Sequence, residues 1–413
     1  MIFFVNQILL MAEDILKKRV PVLDVVRLIG YSLPFIIAQS APFATLVGFL
    51  MCLGRMMTDN EILIMRACGK SFLIILVPVL VLGLAISVLS FFVNDYLLPL
   101  GTISYNKLYH NILYSDPTIA PLKAAIAQQY GLSSENVFVT NGSDETLGFS
   151  FLAYADAEHP VTIPDISYGF YKVFAQLFQV APTVIPLRED FSLPVEKFCG
   201  VGSMVVFANP NAPTAIALPL SEVEKIVASN PDHVVLVDEA YVDFGGQSAV
   251  SLIDRYPNLL VVRTFSKSRS LAGARIGYAM AQPALIDDLE RVRNSFHPYN
   301  INRLSMLAGV EAMKDTAYFE DCCQKIIKTR QHTAEALKEM GFTLTESSTN
   351  FLFAAPNVIS GKEYYEKLKD RGVLVRYFGT QRLSPYVRIT IGTDEEMAVL
   401  LKNTREILKE ANP

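Results

Sequence analysis

The chain has no tryptophan, only five histidines and only five cysteines among its 413 residues. Cys52, Cys68, Cys199, Cys322 and Cys323 make no CxxC pair and no metal-ligand spacing, which excludes a zinc ribbon and argues against a disulfide framework. Reduced thiols in a cytosolic compartment are the expectation. The histidines, His297 among them, show no partner spacing for a metal or a nucleophile triad, so no metal is expected. A net charge of −5 gives no sign of a nucleic-acid partner, and none is expected. Internal repeats and low-complexity tracts are also missing. The apolar start from Met1 to Met11 lacks a basic flank and runs into Glu13 and Asp14, unlike a cleaved export signal.

Charge itself is missing from two long runs, Leu28 to Gly54 and Ser71 to Val93. Each exceeds the roughly 20 apolar residues that cross a bilayer core, so both are expected to be transmembrane helices, at about 28–54 and 71–93. Pro34, Pro42 and Pro78 are tolerable there if neighbouring groups re-satisfy the backbone. A buried soluble hairpin is the weaker alternative on length. Arg55 to Lys70 interleaves charges with Ile62, Met65 and Ala67 and reads as an amphipathic helix at a membrane surface. Mean hydropathy over the chain is +0.31, high for a soluble enzyme, and the excess lies in this first quarter.

Beyond residue 110 the texture changes to alternating strands and helices, the pattern of an α/β fold with a mainly parallel sheet. Buried strands are expected over Ser203–Ala208, His233–Val237 and Leu259–Phe265, with a capping box of Ser221 and Glu224 opening a helix that ends at Ser229. After about residue 303 come a long helix, strands over Asn350–Phe353, Gly372–Arg376 and Tyr386–Ile391, and a closing helix capped by Thr393 and Glu396. These make a smaller α+β part.

Three polar residues follow three apolar strands: Asn209, Asp238 and Lys267. In open α/β sheets ligands sit outside the carboxyl ends of strands, so these side chains should converge on one crevice. Lys267 lies between Ser266 and Arg275 in Ser266-Lys-Ser-Arg-Ser-Leu-Ala-Gly-Ala-Arg-Ile-Gly277. A lysine there can form a Schiff base beside a phosphate, which is what pyridoxal phosphate (PLP) requires. Asp238 would hold the proton on the ring nitrogen, and Asn209 and Tyr241 would hydrogen-bond the phenolic oxygen. Asn141-Gly142-Ser143-Asp144-Glu145 stands where a strand gives way to a helix, so the first amides of that helix, with Ser143, Ser266 and Arg275, would receive the phosphate. Tyr168 is a candidate to stack on the ring. Singly, an aspartate after a strand is more often a cap and an aromatic more often core; the joint spacing carries the reading.

From residue 111 these motifs, with Leu113-Tyr-Ser-Asp-Pro117, Asn209-Pro-Asn-Ala-Pro-Thr214, Asp238-Glu-Ala-Tyr241, Gly372-Val-Leu-Val-Arg376 and Val387-Arg-Ile-Thr-Ile-Gly392, resemble the histidinol-phosphate aminotransferases, PLP enzymes of fold type I within the class I/II aminotransferases. The resemblance implies a PLP-binding large domain over 111–302 with a mainly parallel central sheet, a small α+β domain over 303–413, and PLP as cofactor. It implies transamination in histidine biosynthesis, between L-histidinol phosphate and 2-oxoglutarate. Lys267 would be catalytic; Gly142, Ser143, Asp144, Tyr168, Asn209, Asp238, Tyr241, Ser266 and Arg275 would bind the cofactor; Tyr114 would reach the cofactor phosphate of a partner subunit, making a homodimer with shared sites. Arg376 and Arg388 would bind the substrate's phosphate and carboxylate, anions that suit guanidinium. Two departures are visible. The family's N-terminal arm ahead of Tyr114 is replaced, and Ala212 and Ala215 stand for the usual Asn and Gly of the Asn-Pro-Asn-Asn-Pro-Thr-Gly pattern.

Residues 1–110 resemble instead the N-terminal part of lipopolysaccharide-export permeases of the LptF/LptG type, on Leu33-Pro34-Phe35, Ala41-Pro42, Gly54-Arg55-Met-Met-Thr-Asp-Asn-Glu61, Arg66-Ala-Cys-Gly69 and Leu97-Leu-Pro-Leu100. That resemblance implies an all-α transmembrane segment and inner-membrane localisation, with the segment around Glu61 contacting a cytoplasmic ATPase. By that resemblance the second span would exit the cytoplasm and carry the catalytic part with it; the charge count points the other way, since Lys17, Lys18, Arg19 and Arg27 before the first full span, against Arg55, Arg66 and Lys70 between the spans, favour a cytoplasmic catalytic part. Rival readings remain open here: a truncated permease fragment, or a fusion artefact, carrying an inactive aminotransferase passenger, and, within the fold, an aromatic aminotransferase or a PLP-dependent decarboxylase.

Overall fold

The computed structural model describes residues 22–71, 73–113 and 118–411, and divides into two compact units, Met1–Ser115 and Asp116–Pro413. In the first, helix α1 (Val22–Thr58) contains Pro34 and Pro42, and a short α2 (Glu61–Ala67) follows a turn at Asn60. Ser40 and Thr45 donate to the carbonyls of Ile36 and Ala41 at 2.6 and 2.7 Å, bonding made inside the helix rather than to water. Helix α3 (Leu73–Phe92) passes through one π-helical turn (Val93–Leu97) into α4 (Leu98–Leu113). Helix α4 packs against α1 at Gly101, where an added Cβ would lie 2.8 Å from the Tyr31 carbonyl.

Two stretches are long and apolar enough to cross a membrane, Val26–Thr58 and Leu76–Asn106. Both are longer than the expected spans, because neither Arg55 in the first nor Asn94 and Asp95 in the second, which end the apolar runs, ends the helical backbone: polar residues interrupt hydropathy without breaking backbone hydrogen bonds. The amphipathic helix expected over Arg55–Lys70 is likewise shorter, since Arg55 to Thr58 belong to α1.

The second unit begins with α5 (Ala120–Tyr130) and is built on seven strands: β1 (Val137–Thr140), β2 (Val161–Pro164), β3 (Pro182–Ile185), β4 (Met204–Ala208), β5 (Val235–Asp238), β6 (Leu259–Thr264) and β7 (Gly277–Met280). Their order is β1-β7-β6-β5-β4-β2-β3, with β7 antiparallel to both its neighbours and the other pairs parallel. Strand side chains alternate between two buried faces: Val205, Phe207, Val235 and Val237 enter one core, Val206, Leu236 and Leu260 the other. A sheet covered on both sides explains why these strands read as continuous apolar runs.

Between the strands run α6 (Ser143–Tyr154), α7 (Phe170–Leu177) and α8 (Leu220–Ser229). Helix α8 ends at Ser229 as expected, but it starts at Leu220, and Ser221 is already inside its first turn; the expected capping box does not form. Glu224 instead accepts from the Tyr256 hydroxyl at 2.8 Å and pairs with Arg255. After α9 (Pro283–Phe296), α10 (Arg303–Lys314) and α11 (Thr316–Glu339), a four-stranded antiparallel sheet is made by β8 (Phe342–Leu344), β9 (Phe351–Pro356), β10 (Arg376–Tyr377) and β11 (Val387–Thr390), in the order β10-β11-β9-β8. Strand β10 is two residues long and shares only Arg376 with the expected Gly372–Arg376, because the chain turns at Gly372 (φ +76°) and pairs only from Arg376. Helices α12 (Gly361–Asp370) and α13 (Asp394–Ala411) cover this sheet through Tyr364, Leu368, Leu400 and Ile407. The cap on α13 forms as a reciprocal pair: the Thr393 amide donates to Glu396 at 2.8 Å and the Glu396 amide to the Thr393 hydroxyl at 3.3 Å.

Candidate active site

Strand direction decides where the polar residues meet. Strands β1, β4, β5 and β6 point the same way, so their carboxyl ends share one rim; β7 runs against them, so its amino end arrives at that rim too. Gly142 and Ser143 follow β1, Asp238 closes β5, Lys267 follows β6 and Arg275 precedes β7. A cavity of about 220 Å³ opens there, lined by Ser143, Asp144, Tyr168, Asp238, Tyr241, Ser266, Lys267 and Arg275.

One end of this cavity is shaped for an anion. Gly142 sits at φ +88° before the first turn of α6, a conformation that favours glycine, and a Cβ there would stand 2.5 Å from Arg275 Nη2. Gly277 lets β7 pass the helix start, since its Cβ would fall 2.2 Å from the Ser143 amide nitrogen. The unpaired amides of a helix N-terminus beside a guanidinium are a ready phosphate receiver. Arg275 Nη2 lies 3.6 Å from Asp144, and the Tyr168 hydroxyl donates to the same carboxylate at 2.7 Å. Burial and that bond push the Tyr168 phenol up from its ordinary pKa.

At the other end Asp238 is 4% exposed. Loss of solvation raises its carboxyl to a pKa of about 6, against the pull of a hydrogen bond from the Tyr171 hydroxyl at 2.8 Å and one from the Ala240 amide at 3.2 Å. Asp144 pushes it up further and Lys267 pulls it down. The Lys267 amine lies 5.4 Å from the centre of the Tyr241 ring, which meets Phe351 edge-on at 5.1 Å. Tyr171 was not singled out from the sequence, although it stands three residues after Tyr168, in the first turn of α7; burial gave no local signal. Asn209 is turned away from the cavity: its side-chain oxygen accepts from the Leu218 amide at 2.8 Å and its nitrogen donates to the Leu218 carbonyl at 3.3 Å. Tyr114 lies outside the described residues.

Arg376 and Arg388 face each other across β10 and β11, directly paired in register, and both line a second cavity of about 770 Å³ that shares Tyr168 and Ala212 with the first. Residues directly opposite in an antiparallel pair project to the same face, so the two guanidiniums point together. Arg388 lies 5.0 Å above the Phe351 ring, with its Nε buried and without a hydrogen-bond partner among the described residues.

This geometry fits a ring with a phosphate at one end and a basic nitrogen at the other: an anion cradle that a Cβ would fill, a buried carboxylate, and a lysine between them. The family model for aminotransferase class I and II matches residues 108–403. The chain belongs to the class I and II aminotransferases. It is 48% identical over 296 residues to a histidinol-phosphate aminotransferase of Clostridium acetobutylicum, covering 72% of this chain and 84% of that protein. It is 50% identical over 291 residues to one from Marinomonas sp., covering 70% and 82%. A crystal structure of the histidinol-phosphate aminotransferase of Sinorhizobium meliloti in complex with pyridoxal-5'-phosphate superposes with a TM-score of 0.65 at 26% identity, covering 72% of this chain and 83% of that one. Aminotransferases of this class depend on PLP, and this aminotransferase carries the fold of type I with a mixed central sheet. Residues 1–161 also match the lipopolysaccharide export system permease family LptF/LptG. That match runs past residue 110, where the resemblance was expected to end, into β1 and α6 at the edge of the cavity.

Proposed function

We propose that this aminotransferase exchanges the amino group of L-histidinol phosphate with 2-oxoglutarate, yielding imidazole acetol phosphate and L-glutamate. The observation that carries the reading is the meeting of Lys267, Asp238 and Arg275 at one small cavity, opening beside a pair of arginines that suits two anionic substrates. When bound, PLP supplies a carbonyl that captures an amine and a ring that takes up the electron pair left when a carbon loses its proton. The protein's residues do the rest. Lys267 would hold the cofactor through its Nζ, and the same amine, once free, would carry the proton from the substrate carbon. Asp238, ionised and buried, keeps a proton on the ring nitrogen. Ser143, Ser266, Arg275 and the first amides of α6, with Gly142 and Asp144 shaping the turn, hold the phosphate. Tyr168 would pack on the ring face and Tyr241 would donate to the phenolic oxygen; Asn209 would donate to that oxygen only on giving up its 3.3 Å bond to the Leu218 carbonyl. Arg376 and Arg388 bind substrate phosphate and carboxylate.

The test is the absorption spectrum of the purified full chain. The wild type should carry a visible cofactor band and convert histidinol phosphate faster than phenylalanine; Lys267→Ala should lose the band and, as expected for a proton carrier, at least about 100-fold in rate. A band that survives this substitution refutes the assignment, and a preference for phenylalanine points to an aromatic aminotransferase.

We infer also a homodimer in which Tyr114 of each chain reaches its partner's phosphate; a one-chain mass by light scattering refutes it. The body is proposed to comprise a PLP-binding part, 111–302, and a small part, 303–413. Helix α10 joins them, because its Met306 and Met313 enter the core of the large sheet. The two apolar helices support insertion in the inner membrane with the catalytic body in the cytoplasm, on the side of Lys17 to Arg27. Release of the chain from membranes by alkaline carbonate refutes insertion.

A further inference from the structure

The loop between β10 and β11 leaves the small sheet, touches the large one, and returns. Leu383 enters the core that also holds Leu187 and Phe191, and Arg382 makes the polar contact. One guanidinium nitrogen meets the Asp165 carboxylate and the Leu187 carbonyl, both at 3.2 Å, and the other donates to the Arg188 carbonyl at 2.6 Å. The group lies 5.3 Å over the Phe191 ring. Asp165 is itself fixed, its other oxygen accepting from the Ile166 and Leu187 amides at 2.8 Å each. Phe191 then meets Tyr386 and Phe353 edge-on at 5.3 and 5.6 Å, and those two rings stack at 4.4 Å. Asp165, Leu187, Arg188 and Phe191 belong to the loops that follow β2 and β3; Tyr386 and Phe353 belong to the small sheet, the first immediately before β11 and the second within β9.

Arg382 lines the same cavity of about 770 Å³ as Arg376 and Arg388, yet three of its N–H donors, including both of Nη1, are already engaged by protein oxygens. It is therefore poorly placed to bind a substrate anion and well placed to hold the strands that do. We propose that Arg382 is a positioning residue: clasped to Asp165 and the Leu187–Arg188 turn, it anchors the β10–β11 loop so that Arg376 and Arg388 stand together at the cavity mouth. The planar fork matters, because one carboxylate and two carbonyls are met at once, which a lysine's single ammonium cannot reproduce. The inference rests on the reading of Arg376 and Arg388 as the anion-binding pair.

The test uses the full chain loaded with PLP, titrated by calorimetry with glutarate and, separately, inorganic phosphate. Arg382→Ala and Asp165→Asn should each weaken both anions about tenfold, with the cofactor absorption unchanged, and Arg382→Lys should recover only part of the loss. Wild-type affinity retained in Arg382→Ala overturns the clasp. So does a variant whose cofactor band shifts or disappears, since that marks damage to the whole site, or full recovery by lysine. If Arg382→Ala does not fold, Arg382→Lys and Asp165→Asn decide alone by the same criteria. A wild type that binds neither anion overturns the anion reading first, and the clasp with it.

Discussion

Tyr171→Phe isolates the support of Asp238. The substitution removes one hydroxyl, whose hydrogen bond to the Asp238 carboxylate is 2.8 Å long, and leaves a buried ring of nearly the same shape. A hydrogen bond to a charged group contributes roughly 1.5–3 kcal/mol, and about 1.4 kcal/mol corresponds to one pH unit of pKa. Losing it should raise Asp238 from about 6 to roughly 7.5 in the ligand-free protein. Only the ionised carboxylate secures a protonated ring nitrogen, so cofactor affinity follows its ionised fraction. At pH 6.5 that fraction falls from about three quarters to about one tenth, an approximately eightfold loss of affinity, whereas at pH 8.5 wild type and variant should differ by only about 10%. The assay is titration of the apoprotein with PLP, followed by absorbance across this pH range. Equal weakening at every pH, or a midpoint that moves down, refutes the reasoning, because generic loosening of the site has no such pH signature. The sign for stability follows from the same shift. Asp238 is raised above its unfolded value of 3.8, so its contribution to the ligand-free protein is complete below about pH 4 and is lost as pH rises through about 6, a change on the order of 3 kcal/mol. Tyr171→Phe extends that loss to higher pH.

Gly142→Ala should lower PLP affinity by about tenfold or more, since the new methyl both displaces Arg275 and forces φ +88° on a residue with a Cβ; equal binding by absorbance titration refutes the cradle. Ala215, where the family pattern has glycine, holds φ +67° while fully buried. Ala215→Gly removes about 1–2 kcal/mol of steric strain, but loses about 0.4–1 kcal/mol through the looser unfolded chain and about 0.8 kcal/mol with the buried methyl, so the terms nearly cancel and the melting temperature should move by no more than about 2 °C. A change of more than about 4 °C in a thermal scan of the full chain refutes it.

Much was written locally. The charge-free runs announced two membrane-length helices, because bilayer thickness fixes how many apolar residues a span needs. The apolar runs before Asn209, Asp238 and Lys267 announced strands buried on both faces, and their polar ends announced the rim. Local patterns misplaced element ends where backbone geometry overrode side-chain chemistry: Leu220 rather than Ser221 opens α8, and helical backbone continues from α3 through the π turn, past Asp95, into α4.

The sequence alone determined which residue types stand at strand ends, and with them the cofactor chemistry proposed for Lys267, Asp238 and Arg275. Only the tertiary structure decided that β7 reverses, bringing Arg275 beside Gly142; that Tyr171 donates to Asp238; that Asn209 turns to Leu218; and that Arg382 spans two sheets. Each of these joins residues through contacts across the fold, whose choice depends on packing and on the loss of solvation, and neither is encoded in the spacing of neighbours along a chain.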